Sequence, residues 1–216
     1  MHHKHTHREV ATRAARLRPP PLSARQWDRA ALPALSIKPL AETSASQMSS
    51  LAQIDTAEGQ AYRYALYKLN PFAVTGSSVL YDGINAHGEL DLYDPASGTG
   101  ALTERYLRDR AAMLTWQNQF NTDDVEPIGD TFVKPQSGTP FYFEDFTSNA
   151  ITTKMRIGGG DTVNAVMSRP LDDFQLVVFG SENNDVLTGQ GKVDRIYRGD
   201  GDKDRPANDA MWKEVA

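Results

Sequence analysis

Glycine and aspartate recur with a period of nine residues in units 180–188, 189–197 and 198–206. The units follow the pattern G-G-x-G-x-D-x-U-x, in which U is a large apolar residue. Asp185 and Asp194 occupy the sixth place, and Leu187 and Ile196 the eighth. Glycine permits a tight turn, and carboxylate and carbonyl oxygens are the ligands that Ca²⁺ takes. We therefore predict Ca²⁺ as the cofactor, with these candidate metal-site residues: Gly180, Asp185, Gly189, Gly191, Asp194, Gly199, Gly201 and Asp202.

The third unit departs from the pattern. Lys203 stands where the aspartate belongs, and Arg205 stands at the apolar position. Pro206 cannot donate a backbone hydrogen bond to a neighbouring strand. A cation at a ligand position opposes the binding of a second cation. We therefore expect a short, incomplete parallel β-roll with a weak affinity for calcium.

Two other interpretations of this segment compete with the repeat. Asp200, Asp202 and Asp204 resemble the opening of an EF-hand loop. The EF-hand interpretation fails, because that loop requires a glycine where Arg205 stands and a bidentate glutamate where Met211 stands. The segment could also be a run of ordinary β-turns at the surface, since loops rich in glycine and aspartate are common. The regular nine-residue spacing favours the repeat.

Residues that could carry catalysis are sparse. No G-x-S-x-G elbow, H-E-x-x-H helix or G-x-x-x-x-G-K-[ST] loop occurs. His87 is the only histidine outside the N-terminal cluster, and its candidate nucleophiles Ser77, Ser78 and Ser97 lack a strand–turn–helix context. The glycine run at residues 158–161 is interpreted as a turn with no helix behind it. We therefore predict that the chain is not an enzyme.

Charge is unevenly placed along the 216 residues. Residues 1–50 carry eight Lys or Arg and three Asp or Glu, a net +5, so the total of −5 leaves −10 for residues 51–216. An acidic body suits a hard cation and is poorly suited to a phosphate backbone, so no nucleic-acid partner is expected. The absence of cysteine excludes disulfides and thiolate metal sites.

The elements that must position the repeats have recognisable patterns. An apolar helical period covers Leu51–Leu69, and a second helix is expected to begin after Thr103 as N-cap. On the second helix Asp109 and Arg110 are interpreted as a solvated face. Strands are expected at residues 128–134, 141–146, 151–157 and 174–179, with shorter ones at 79–81 and 90–93. The predicted fold class is α+β: two helices followed by antiparallel strands, then the β-roll.

Residues 179–197 resemble the start of the repeat block in RTX (haemolysin-type calcium-binding) proteins. Residues 64–74 (YALYKLNPFAV) and 102–114 (LTERYLRDRAAML) are similar to the region ahead of that block in RTX toxins and bacteriocin-like proteins. The likeness covers roughly residues 55–201. It implies type I export, folding on meeting extracellular calcium, and a calcium ion held between units that are two apart.

Residues 1–50, predicted from their composition to be a disordered basic arm, show no such likeness, and the resemblance divides the rest of the chain into an α+β body at 51–172, degenerate repeats at 173–206, and a tail at 207–216. It implies a truncated calcium-binding module of a secreted, extracellular RTX haemolysin or bacteriocin-like protein. The target-cell membrane or surface is implied as a partner of the full-length protein. Two alternatives remain: a fragment of a hydrolase-associated, lipase-like RTX toxin, and a non-functional remnant. The sequence does not indicate an oligomeric state.

Overall fold

The computed structural model describes residues 35–147, 152–181, 187–189 and 194–198. These residues lie in the unit Ala34–Ala216, and the second unit of the chain, Met1–Pro33, lies outside the described residues. The helices are α1 (Ala45–Ala52), α2 (Ala57–Tyr67), α3 (Glu104–Thr122) and α4 (Val163–Ser168), with 3₁₀ turns at Ser78–Leu80 and Leu171–Asp173. The strands are β1 (Ser36–Pro39), β2 (Phe72–Thr75), β3 (Thr131–Lys134), β4 (Phe141–Asp145), β5 (Thr153–Ile157), β6 (Gln175–Phe179) and β7 (Arg195–Tyr197).

Side-chain caps set the beginning of each long helix. Ser44 forms a capping box with Gln47 at the start of α1, and the Thr103 hydroxyl accepts from the Tyr106 amide at the start of α3, as predicted. The helix expected over Leu51–Leu69 is instead two helices, because Thr56 caps a new helix by accepting from the Gly59 amide. The apolar period continues through both helices, so it did not indicate the break between them.

The basic arm ends earlier than the sequence indicated. Residues 36–50 contain β1, which pairs antiparallel with β2, and most of α1, so the prediction of disorder to residue 50 does not hold there. The physical reason is burial, since Leu40 and Met48 are fully enclosed in the core and stabilise this stretch. Residues 1–34 of the predicted arm lie outside the described residues.

The main sheet is mixed, which corrects the prediction of antiparallel strands. Its order is β3-β5-β4-β6-β7, and only the β4–β5 pair is antiparallel. Parallel neighbours need long crossover connections, and the segment between the parallel neighbours β4 and β6, which contains β5 and α4, supplies one. Helix α4 follows the glycine run at 158–161 directly, so the prediction of no helix behind that turn is wrong.

The short strands expected between the helices did not form. Residues 78–80 make a 3₁₀ turn, and Leu92 makes only an isolated bridge to Leu102. No described helix combines the length and apolarity that a membrane span requires.

Side chains of the main sheet alternate between two apolar clusters. The larger cluster lies between the sheet and helices α1 to α3, and the smaller lies on the opposite face beside α4. The sheet residues Phe143, Met155, Ile157, Val177 and Phe179 belong to the larger cluster. The buried members of the smaller cluster are Val133, Tyr142, Val166, Phe174, Leu176, Val178 and Leu187.

Candidate metal centre

The second repeat unit contributes strand β7 to the edge of the main sheet. Strand β7 runs parallel to β6, with Val177 beside Arg195, Val178 beside Ile196 and Phe179 beside Tyr197. Each pair is separated by eighteen residues (195 − 177), which is two repeat lengths. The Gly180 amide also donates to the Tyr197 carbonyl at 2.7 Å. The chain therefore returns to the same edge after two nine-residue units.

The apolar eighth residues of the first and second repeat units contact the same cluster. Leu187 is buried within the smaller cluster, and Ile196 packs against that cluster from β7. Val178, nine residues before Leu187, is a third member. The eighth position of the pattern therefore supplies core side chains at a nine-residue interval, as the repeat requires.

Asp194, the predicted ligand of the second unit, lies against the main chain of β6. Its Oδ1 accepts a long hydrogen bond of 3.4 Å from the Leu176 amide, eighteen residues earlier. A Cβ placed on Gly189 would lie 2.9 Å from Asp194 Oδ2, so the glycine leaves room for the carboxylate. The residue two repeat units before Asp194 is Leu176, which has no carboxylate to act as a second ligand.

The other predicted site residues divide into two groups. Gly180 is buried beside Tyr197, and Gly189 lies beside Asp194. Asp185, Gly191, Gly199, Gly201 and Asp202 lie outside the described residues. Among the residues that the structure describes, no group of three or more His, Asp or Glu side chains could hold a metal ion.

Asp109 is a functional candidate that the sequence interpretation missed. It is 6% exposed, not solvated, and its Oδ2 lies 2.6 Å from both Arg195 Nε and the Tyr197 hydroxyl of β7. Burial raises the pKa of Tyr197, and the Asp109 carboxylate raises it further, so the phenol stays protonated and donates. One carboxylate of α3 therefore binds two side chains of the second repeat unit.

Arg110, the next residue, is also fully buried instead of solvated. Its guanidinium forms an ion pair with Asp145 at 3.0 Å. It also donates to the Tyr106 hydroxyl at 3.1 Å, the Tyr67 carbonyl at 3.0 Å and Thr147 Oγ1 at 3.1 Å. The guanidinium carbon lies 4.1 Å from the centre of the Phe179 ring. Arg110 therefore joins α2, the end of β4, and β6.

The sequence did contain a signal for these two burials. Arg110 lies three residues after Leu107 and four before Leu114, and Asp109 lies three after Tyr106. Side chains at these spacings share one face of a helix. Both charges therefore fall in register with the apolar face of α3, where a charged residue needs a buried partner.

His87 lies on an exposed loop. Its side chain is 87% exposed, and its Nδ1 lies 3.0 Å from Glu89 Oε1. The backbone amide of His87 donates to the same carboxylate and lowers the pKa of Glu89. A groove of about 500 Å³ beside this pair is lined by Gly88, Gly100 and Ala101. The His87 ring thus contacts the Glu89 carboxylate. Ser97, one of its candidate nucleophiles, contacts Asp94 and Thr99.

Comparison with known proteins gives no relative for this chain. No protein-family model matches it, and neither does any curated protein or any solved structure. Function is therefore inferred from the residues and contacts described above.

Proposed function

We propose that this chain is a calcium-binding module of a secreted, RTX-like protein, in which the repeats begin on the main sheet and bind calcium weakly. The observation that carries the proposal is the eighteen-residue offset between β6 and β7. A parallel β-roll built of nine-residue units places strands two units apart side by side. The observed offset of eighteen residues equals the length of two nine-residue units.

That agreement joins two independent observations. The nine-residue period comes from the spacing of glycine, aspartate and apolar residues in 180–206. The offset comes from the pairing of β7 with β6, whose residues precede the repeat pattern. A surface run of unrelated β-turns gives no reason for the pairing to fall at twice the period. The positions of Leu187 and Ile196 in one cluster support the same conclusion.

The expectation of weak affinity rests on what lies eighteen residues from each aspartate. Leu176 precedes Asp194 by that distance, and Trp212 follows it. Lys203 follows Asp185 by the same distance, so an ammonium group stands where a second carboxylate would help to hold the ion. Sites with few carboxylates fall at the weak end of calcium affinities in proteins, about 10⁻⁴–10⁻³ M.

Calcium titration of the full chain after treatment with EDTA tests the proposal. We expect a calorimetric binding signal in the millimolar range, with a gain of β signal in circular dichroism and a higher midpoint of thermal unfolding. The double variant Asp185→Ala/Asp194→Ala should lose the binding signal. The matched double variant Asp82→Ala/Asp172→Ala, which removes two exposed carboxylates outside the repeats, should keep it.

Magnesium at the same ionic strength separates specific binding from screening of the acidic body. If calcium produces no heat and no spectral change up to about 10 mM, ten times the weak limit for such sites, the proposal fails. The chain would then be better described as a remnant of a repeat protein. An equal response to magnesium would also contradict it.

A further inference from the structure

We propose that Asp109 is a positioning residue that anchors the second repeat unit to the body without calcium, so that the first turn of the repeat block is independent of metal. The inference rests on the proposed function and concerns its regulation. It predicts a division of the repeats into a part that is ordered before calcium binds and a later part that responds to the ion.

The contacts of β7 show how the anchor is built. Arg195 and Tyr197 flank Ile196 on the strand, so their side chains leave on one face and that of Ile196 on the other. Ile196 packs against the smaller cluster, while Arg195 and Tyr197 reach α3. Asp109 therefore binds the face of the repeat strand that the repeat pattern leaves unspecified.

Aromatic packing adds to the same contact. The Tyr197 ring stacks on Phe179 with centroids 5.1 Å apart, and it lies perpendicular to the Tyr106 ring with centroids 5.2 Å apart. Such aromatic pairs stabilise a contact beyond the effect of the area that they bury. Asp109, Tyr106 and Phe179 together hold Tyr197, and all three precede the repeat pattern at 180–206.

The carboxylate of the second unit also has a partner from the protein. Asp194 Oδ1 accepts from the Leu176 amide, and Gly189 leaves space beside Oδ2. The carboxylate that the repeat pattern assigns to calcium in this turn thus accepts from the main chain of β6. Protein atoms alone therefore supply contacts that hold β7 beside β6.

The contact between Asp109 and β7 depends on the charge of the Asp109 carboxylate, because that side chain is buried. Asp109 is 6% exposed, and the Arg195 side chain is 24% exposed. Losing these two donors while β7 stays in place would leave a buried carboxylate without a partner, which opposes loosening of the strand.

Hydrogen exchange of the full chain, measured by mass spectrometry in EDTA and in calcium, tests the anchor. In EDTA the wild-type segment 194–198 should be protected to a degree comparable with β5. Asp109→Asn should increase exchange of that segment roughly 10- to 100-fold, the range expected for loss of a charge-assisted hydrogen bond. Exchange in β4 and β5 should change far less. Asp172→Asn, at an exposed residue, is the matched control.

A second variant keeps the test valid if Asp109→Asn unfolds α3. Tyr197→Phe removes one of the two donors without altering the helix, and it should increase exchange in 194–198 by a smaller factor. Protection of that segment only in calcium would overturn the anchor while leaving the proposed function standing. Equal loss of protection throughout the body in Asp109→Asn, with no effect of Tyr197→Phe, would also overturn it. Protection in EDTA without any calcium binding would support the anchor and contradict the proposed function.

Discussion

Two adjacent residues of α3 with opposite charges bind different parts of the protein. Asp109 contacts β7, and Arg110 contacts Asp145 at the end of β4. Neighbouring helical residues point about 100° apart, so one turn of α3 can bind two strands. Removing both ions of a buried pair can be nearly neutral, whereas removing one leaves an uncompensated charge. Single substitutions here should therefore be more harmful than paired ones.

Replacing Arg110 by methionine leaves Asp145 buried without its cation. We expect the variant to lower the free energy of unfolding by about 3–5 kcal/mol, measured by urea denaturation. Arg108→Met, at an exposed position on the same helix, should change it by less than about 0.5 kcal/mol. Adding Asp145→Asn to Arg110→Met should recover part of the loss. An effect no larger than that of the control would show that the ion pair is not needed for stability.

Helices α1 and α2 meet at a corner that a glycine makes possible. A Cβ on Gly59 would lie 1.9 Å from the Ile54 carbonyl oxygen, well inside contact distance. The neighbouring atom belongs to the backbone, so a rotamer change cannot relieve the overlap. The corner therefore depends on the missing side chain as much as on the Thr56 cap.

Gly59→Ala tests the corner. Although alanine favours a helix, we expect the variant to lower stability by about 1–3 kcal/mol because the backbone of the corner must shift. Gly83→Ala, where a Cβ would meet nothing within 4 Å, should leave the thermal midpoint almost unchanged or raise it slightly. A stabilised Gly59→Ala protein would contradict the close packing of the corner.

At the scale of the whole molecule, the sheet separates two apolar clusters, and Leu187 and Ile196 of the repeat segment contribute to the smaller one. Leu187 is buried in that cluster at a distance in sequence from Val133 and Val166. A side chain from the repeat thus belongs to the same core as strands of the body. Unfolding of the body and of the first repeat turn should be one cooperative transition.

Leu187→Ala tests this cooperativity. The cavity should lower the free energy of unfolding by about 2–5 kcal/mol with a single transition by all probes. Ile84→Ala removes a partly exposed side chain from a loop and should have a much smaller effect. Two separate transitions in Leu187→Ala, with the body unaffected, would show that the repeat segment is an independent unit.

How much of this could be predicted follows from the range of each interaction. Local patterns placed the start of α3 at Thr103 and found strands β4 and β6, since caps and apolar runs are set by near neighbours. The strand order could not be predicted, because β5 lies between β3 and β4 through contacts remote in sequence. The repeat predicted core positions for Leu187 and Ile196. The repeat could not predict that Asp109 binds the second unit, because the partners of Asp109 lie 86 and 88 residues away in sequence.

Strand β7 has a further consequence for synthesis of the chain. Its described partners, among them Asp109, Val177 and Phe179, all precede it in sequence. Domains fold with the N-terminal part first as the chain leaves the ribosome. The surface that receives β7 can therefore be complete before that strand emerges, and the repeat adds to a finished template. The repeat units would then join the folded body in the order in which they are synthesised.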